Sequence, residues 1–134
     1  MARIPYELLC GVALNLIGMS IYSDGIILKP VRYNPIVGNP FEIECNAEAT
    51  IVNTVAITTP DGTIGGSCNP AISPFAASCS NAANYTATLD EATNIVILNT
   101  SSLALGVNGE WTCTHNFTTD VYNLTTLDIK KESF

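Results

Sequence analysis

Cys45 closes an alternating stretch, Phe41-Glu42-Ile43-Glu44-Cys45, and Cys113 closes another, Gly109-Glu110-Trp111-Thr112-Cys113. Side chains alternate between the two faces of a β-strand, so each cysteine points to the same side as the apolar residues of its stretch. The two lie 68 positions apart. Two strands that each direct a cysteine into one shared interior meet the requirement for a β-sandwich pinned by a disulfide.

The other cysteines sort by compartment. The chain has 134 residues, one domain's worth, and five cysteines: Cys10, Cys45, Cys68, Cys79 and Cys113. Met1-Ala2-Arg3 offers a positive start, and Leu8 to Met19 an apolar run interrupted by Asn15. Small residues then permit cleavage after Ser20 or Ser23. The run is short for a membrane span, so residues 1–23 are expected to be a signal peptide that takes Cys10 with it. Residues 24–129 form the expected domain, residues 130–134 a polar tail, and no further run of spanning length follows. Four cysteines remain for an oxidising compartment, with three possible pairings. Strand geometry favours Cys45–Cys113 and leaves Cys68–Cys79. In a loop-entropy account, closed loops of about 69 and about 12 residues are worth about 4 and about 3 kcal/mol.

Four sequons fit the same secreted, extracellular setting: Asn84-Tyr85-Thr86, Asn99-Thr100-Ser101, Asn116-Phe117-Thr118 and Asn123-Leu124-Thr125. At least one is expected to stay unoccupied. The formal net charge is −7, with only five basic residues, and those are scattered. Such a chain cannot lay a basic stripe along a phosphate backbone, which argues against nucleic acid and against anionic membrane surfaces as partners.

Along the chain, Ile26-Ile27-Leu28 begins an extended segment that Pro30, Pro35 and Pro40 confine to a sheet edge. Strands are expected at Phe41–Ala47, Ile51–Thr59, Tyr85–Leu89, Ile95–Leu98, Trp111–His115 and about Val121–Ile129, with a short return at Thr63-Ile64. Pro60-Asp61-Gly62 and Asp90-Glu91-Ala92-Thr93 read as turns. Residues 65–83, rich in Gly, Pro, Ala, Ser and Asn, read as a loop stapled by Cys68 and Cys79. Seven or eight short strands without helical periodicity beyond the leader predict an all-β sandwich or barrel.

Gly38…Phe41-x-Ile43-x-Cys45 and Gly109-x-Trp111-x-Cys113 resemble the B-strand and F-strand patterns of immunoglobulin-superfamily domains, closest to the variable or intermediate sets, and the likeness runs from about Ile26 to Ile129. It implies an antiparallel, Greek-key, immunoglobulin-like sandwich. Two positions depart from the pattern. Ile57 stands where that family places a core Trp, and Trp111 stands where it places the corner Tyr. Trp111 is in phase with Cys113, so its ring is expected to point inward and fill the volume that Ile57 leaves; its indole N–H can still donate one bond. Val107 replaces the usual Asp, so that family's salt bridge across the base of the sandwich is not expected.

Catalytic patterns find little purchase. His115 is the lone histidine and is expected to be a partly exposed strand residue. No nucleophile–base spacing accompanies it, so no enzyme is expected. A zinc site from Cys68, Cys79, Cys113 and His115 lacks the usual paired spacing, and neither a metal nor any other cofactor is expected. Gly62 to Ser67 is glycine-rich but has no Lys and no following helix to hold phosphate. Asp90-Glu91 and Lys130-Lys131 read as solvated charge.

What remains is binding. The candidate surfaces are the stapled loop with Pro74-Phe75, and the hairpin from Asn116 to Asp120, including Thr118 and Asp120. Phe75 is expected either as an exposed anchor or packed onto the sandwich. Sugar on both Asn116 and Asn123 would shield the hairpin and direct a partner elsewhere. The expected function is recognition of a protein or glycan ligand in adhesion or immune-type contacts. The alternatives are a structural or toxin-like secreted module, or the truncated amino-terminal domain of a larger receptor or lectin-like protein.

Overall fold

The computed structural model describes residues 25–128 and has nine strands among them, most built on alternating apolar and polar residues. In chain order they are β1 (Ile27–Val31), β2 (Phe41–Asn46), β3 (Val55–Thr58), β4 (Ile64–Asn69), β5 (Ser78–Asn81), β6 (Thr86–Asp90), β7 (Ile95–Thr100), β8 (Gly109–His115) and β9 (Thr118–Leu124). All pair antiparallel, in two sheets of order β1-β2-β7-β6 and β9-β8-β3-β4-β5. The fold is therefore an all-β sandwich. The expected leader lies outside the described residues, as does the polar tail.

Both disulfides form, Cys45–Cys113 and Cys68–Cys79. Cys45 on β2 and Cys113 on β8 join the two sheets, and both are fully buried. Phe41, Ile43, Val96, Leu98, Val55, Ile57 and Trp111 pack around that bridge as one core.

Trp111 is fully buried, as its phase predicts, and reaches across the interior. Its ring lies 6.4 Å from that of Phe41 on the opposite sheet and 6.2 Å, edge-on, from that of Tyr85. Its Nε1–H donates to the carbonyl of Val107 at 3.0 Å. Ile57, opposite Cys113 in the β3–β8 register, is also fully buried.

Three expectations need correction. Residues 65–83 are not all loop: β4 and β5 run through them and place Cys68 directly opposite Cys79. Gly65 and Gly66 disguise β4, because glycine has weak strand propensity. Here the glycines are required by contact. A Cβ on Gly66 would lie 2.6 Å from Leu98 Cδ1 and 2.8 Å from Ala87 Cβ on the facing sheet. Ile57 pairs with Gly66 and Thr58 with Ile64, so Gly65 is the extra residue of a bulge. Second, residues 51–54 precede β3 and are not strand; Ile51 is buried beneath this segment. Third, β9 begins at Thr118, earlier than expected, because Asn116 and Phe117 alone make the turn from β8.

The edge strand β1 carries Pro30, as expected of an edge. Its Leu28 N–H, which β2 does not take up, donates to the Asp120 carboxylate at 2.8 Å. Beyond β1 the chain crosses to the other sheet, where Ile36 makes a parallel bridge to Leu127. These two contacts close one flank of the sandwich.

Candidate functional site

Connections gather at the two ends of the sandwich, and one end carries an open groove. There the segment between β2 and β3 (residues 47–54), the segment between β4 and β5 (residues 70–77), the β6–β7 turn and the β8–β9 turn come together. Asn53 Nδ2 bonds Asn116 Oδ1 at 3.4 Å. Thr54 Oγ1 bonds Asn69 Oδ1, and Ala71 N–H donates to a Glu91 carboxylate oxygen at 3.1 Å. Between the first two segments lies a groove of about 700 Å³, lined by Val52, Asn53, Thr54, Ile72, Phe75 and their neighbours.

The apolar side chains here face water. Phe75 is 75% exposed, which decides between its two expected placements, and Val52 and Ile72 are also exposed. Ile72 and Phe75 exchange backbone hydrogen bonds in a tight turn, which holds both side chains away from the sandwich. The Cys68–Cys79 bridge closes the base of this loop, across two directly paired residues.

Phe117 adds a fourth apolar group, fully exposed at the tip of the β8–β9 hairpin. Asn116 has φ +50° and Phe117 φ +67°. Two positive angles define the type I′ turn that fits strand twist, but its second position is ordinarily Gly. An aromatic residue there is strained, at a cost of about 1 kcal/mol. Sequence reasoning favoured Thr118 and Asp120 in this hairpin and passed over Phe117. The available signal was a two-residue Asn-aromatic turn between alternating segments. Thr118 is half-buried, and Asp120 is engaged within the fold by Leu28.

His115 corrects another expectation. It is buried, 6% exposed, because it follows Trp111 and Cys113 on the inward phase of β8. Its Nε2 accepts the backbone N–H of Val52 at 3.1 Å, which fixes the neutral tautomer with its proton on Nδ1. Burial lowers its pKa.

The opposite end holds a smaller hollow of about 250 Å³ beside Thr59, Asp61, Tyr85 and Val107. Thr59 Oγ1–H and Thr63 N–H donate to one Asp61 oxygen at 2.6 and 2.9 Å, and these bonds hold its carboxyl below the usual range. Burial, and then the Asp61 charge, raise the Tyr85 phenol. The Asp61 bonds belong to the Pro60-Asp61-Gly62 turn, where Gly62 has φ +90°.

Among the described residues, no group of three His, Cys, Asp or Glu side chains could hold a metal ion. The cysteines weighed beside His115 as zinc ligands are consumed in disulfides. No helix among the described residues is long and apolar enough to cross a membrane. The sequon asparagines Asn84, Asn116 and Asn123 are exposed, in the β5–β6 connection, the β8–β9 turn and on β9; Asn99 is half-buried on β7. No protein-family model matches the chain, and no curated protein matches it significantly.

Proposed function

We propose that this chain is a secreted, non-catalytic recognition domain of the immunoglobulin-like kind, and that its ligand surface is the loop end bearing Val52, Ile72, Phe75 and Phe117. The observation that carries this reading is Phe117, a fully exposed aromatic held at positive φ in the turn whose Asn116 bonds Asn53 of the groove lining. An exposed aromatic held at positive φ lowers stability, and with the exposed Val52, Ile72 and Phe75 at the same end it argues for use. The partner this surface suits is a protein that presents apolar side chains to it.

The immunoglobulin-like assignment is supported by the strand order. Nine strands in sheets β1-β2-β7-β6 and β9-β8-β3-β4-β5 match the variable-type arrangement, in which two extra strands extend the sheet containing β3, β8 and β9. Residues 24–129 are proposed as the domain, released from a leader at residues 1–23. Two disulfides and the sequons Asn84, Asn99, Asn116 and Asn123 fit an extracellular destination. Sugar on Asn116 would compete with a partner for Phe117 first.

The test is a cell-surface binding screen of the oxidised protein from a secretory host. Phe75→Ser and Phe117→Ser are expected to lose binding, and Val121→Ser, on the outer face of β9, to keep it. Loss in Val121→Ser alone would move the surface to the sheet face. Thr118→Ala, which removes the Asn116 sequon, is expected to preserve or strengthen binding.

A further inference from the structure

The bond between Val52 and His115 joins a titratable ring to the wall of the groove. Val52 lines the groove, and its N–H donates to Nε2 of the buried His115. This is the contact that ties the middle of segment 47–54 to β8. Around it, Ala47 N–H bonds Asn94 O, Glu48 N–H bonds Asn46 Oδ1, Asn53 reaches Asn116 at 3.4 Å, Thr54 Oγ1 bonds Asn69 Oδ1, and Ile51 is buried in the core, so Val52 is the residue whose position rests on His115.

We propose that His115 is a pH-sensitive latch: neutral, it holds Val52 closed against the end of β8, and protonated, it releases Val52 and opens that wall of the groove. The chemistry is simple. Neutral imidazole offers one acceptor, and Val52 N–H takes it. A proton on Nε2 turns the acceptor into a donor that faces another donor, so the bond cannot persist. The imidazolium must also be hydrated, which the buried ring is not in the closed state. Val52 lies at the surface, so on release its N–H can bond to water instead.

No nearby charge offsets this. The ionisable side chains on the elements beside His115 are Glu110, exposed at the far end of β8, Glu48, exposed on segment 47–54, Asp120, engaged by Leu28, and Tyr122 on β9, and Lys29, exposed on β1. Thr118 stands opposite His115 on β9, and Ile51 and Val55 are apolar. Burial alone depresses the imidazole below its ordinary value. A depressed histidine stabilises the closed state fully above the open-state pKa of about 6.5 and loses that contribution as pH falls from there through the closed-state value.

The test needs no ligand, so its outcome is independent of the recognition reading. The amide and His115 ring signals of the ¹⁵N-labelled, oxidised protein are followed by NMR from about pH 7.5 to about pH 5. The Ile51, Val52 and Asn53 amides are expected to shift with the His115 ring at one shared midpoint, below the ordinary imidazole value. Corrected for intrinsic rates, Val52 amide opening should rise by up to about tenfold per pH unit across that window. His115→Gln, which keeps an acceptor but does not titrate, should abolish both changes. If His115 titrates while Val52 stays still, or if His115→Gln retains the shift, the latch is wrong. Should His115→Gln not fold, the shared midpoint in the unaltered protein decides.

Discussion

Trp111 donates its indole N–H to the carbonyl of Val107, 3.0 Å away and four positions upstream. The bond turns a ring that fills the interior into a tie on the chain entering β8. An immunoglobulin-like corner tyrosine uses its hydroxyl for a similar backbone contact. Here one residue supplies both the tie and the bulk expected of a core tryptophan elsewhere in the sequence, and Ile57 suffices at that other position.

Trp111→Phe should therefore cost about 2–4 kcal/mol, from lost volume and an unpaired carbonyl. Urea denaturation followed by far-UV circular dichroism measures this. Trp111→Tyr should not recover the loss, because its hydroxyl extends from a different point of a smaller ring.

The bridges should differ in both accessibility and value. Cys45 and Cys113 are fully buried, whereas Cys79 lies exposed on the edge strand β5. Mild reductant at neutral pH should open Cys68–Cys79 first, as read by alkylation and intact mass. Removing Cys45–Cys113 by paired alanines should cost about 4 kcal/mol, and removing Cys68–Cys79 about 3 kcal/mol or less.

Gly66→Ala should destabilise by about 1–3 kcal/mol, because its Cβ would meet Leu98 and the immobile Cβ of Ala87. Pairing it with Ala87→Gly should restore part of the loss. A denaturation series of the two single variants and the double variant checks the coupling.

Phe117→Gly should stabilise the domain by about 0.5–1 kcal/mol, since glycine accepts the positive φ at no steric cost. If the loop end is the ligand surface, the same variant should bind less well. A thermal melt beside a binding assay separates the two effects.

Asp120→Ala should cost about 1–2 kcal/mol by stranding the Leu28 N–H, and Asp120→Asn should cost less, since its amide oxygen can still accept. Urea denaturation of both variants gives the comparison.

The core was legible where apolar and polar residues alternate. Phe41, Ile43 and Cys45 on β2, and Trp111 and Cys113 on β8, all lie inside, and their cysteines pair. Strands β4 and β5 were hidden because glycine and serine carry almost no strand signal, and the reason for the glycines lies on the other sheet, at Ala87 and Leu98. His115 was misplaced although the period that places Trp111 and Cys113 inside also places it there. The groove was half legible. Phe75 stood out as an aromatic in a polar stretch, but Val52 meets it only across the groove, and Phe117 comes to the same end only through the turn whose Asn116 bonds Asn53.

The close approach of the two sheets at Gly66 also says what a relative of this chain must look like. A position where even a methyl group collides drifts only if its neighbours across the gap shrink with it. Sequences descended from a common ancestor should therefore retain a paired Gly-Gly some twenty residues beyond the first bridge cysteine, with a Trp two before the second. That three-part signature offers a way to find kin whose remaining residues have diverged past recognition.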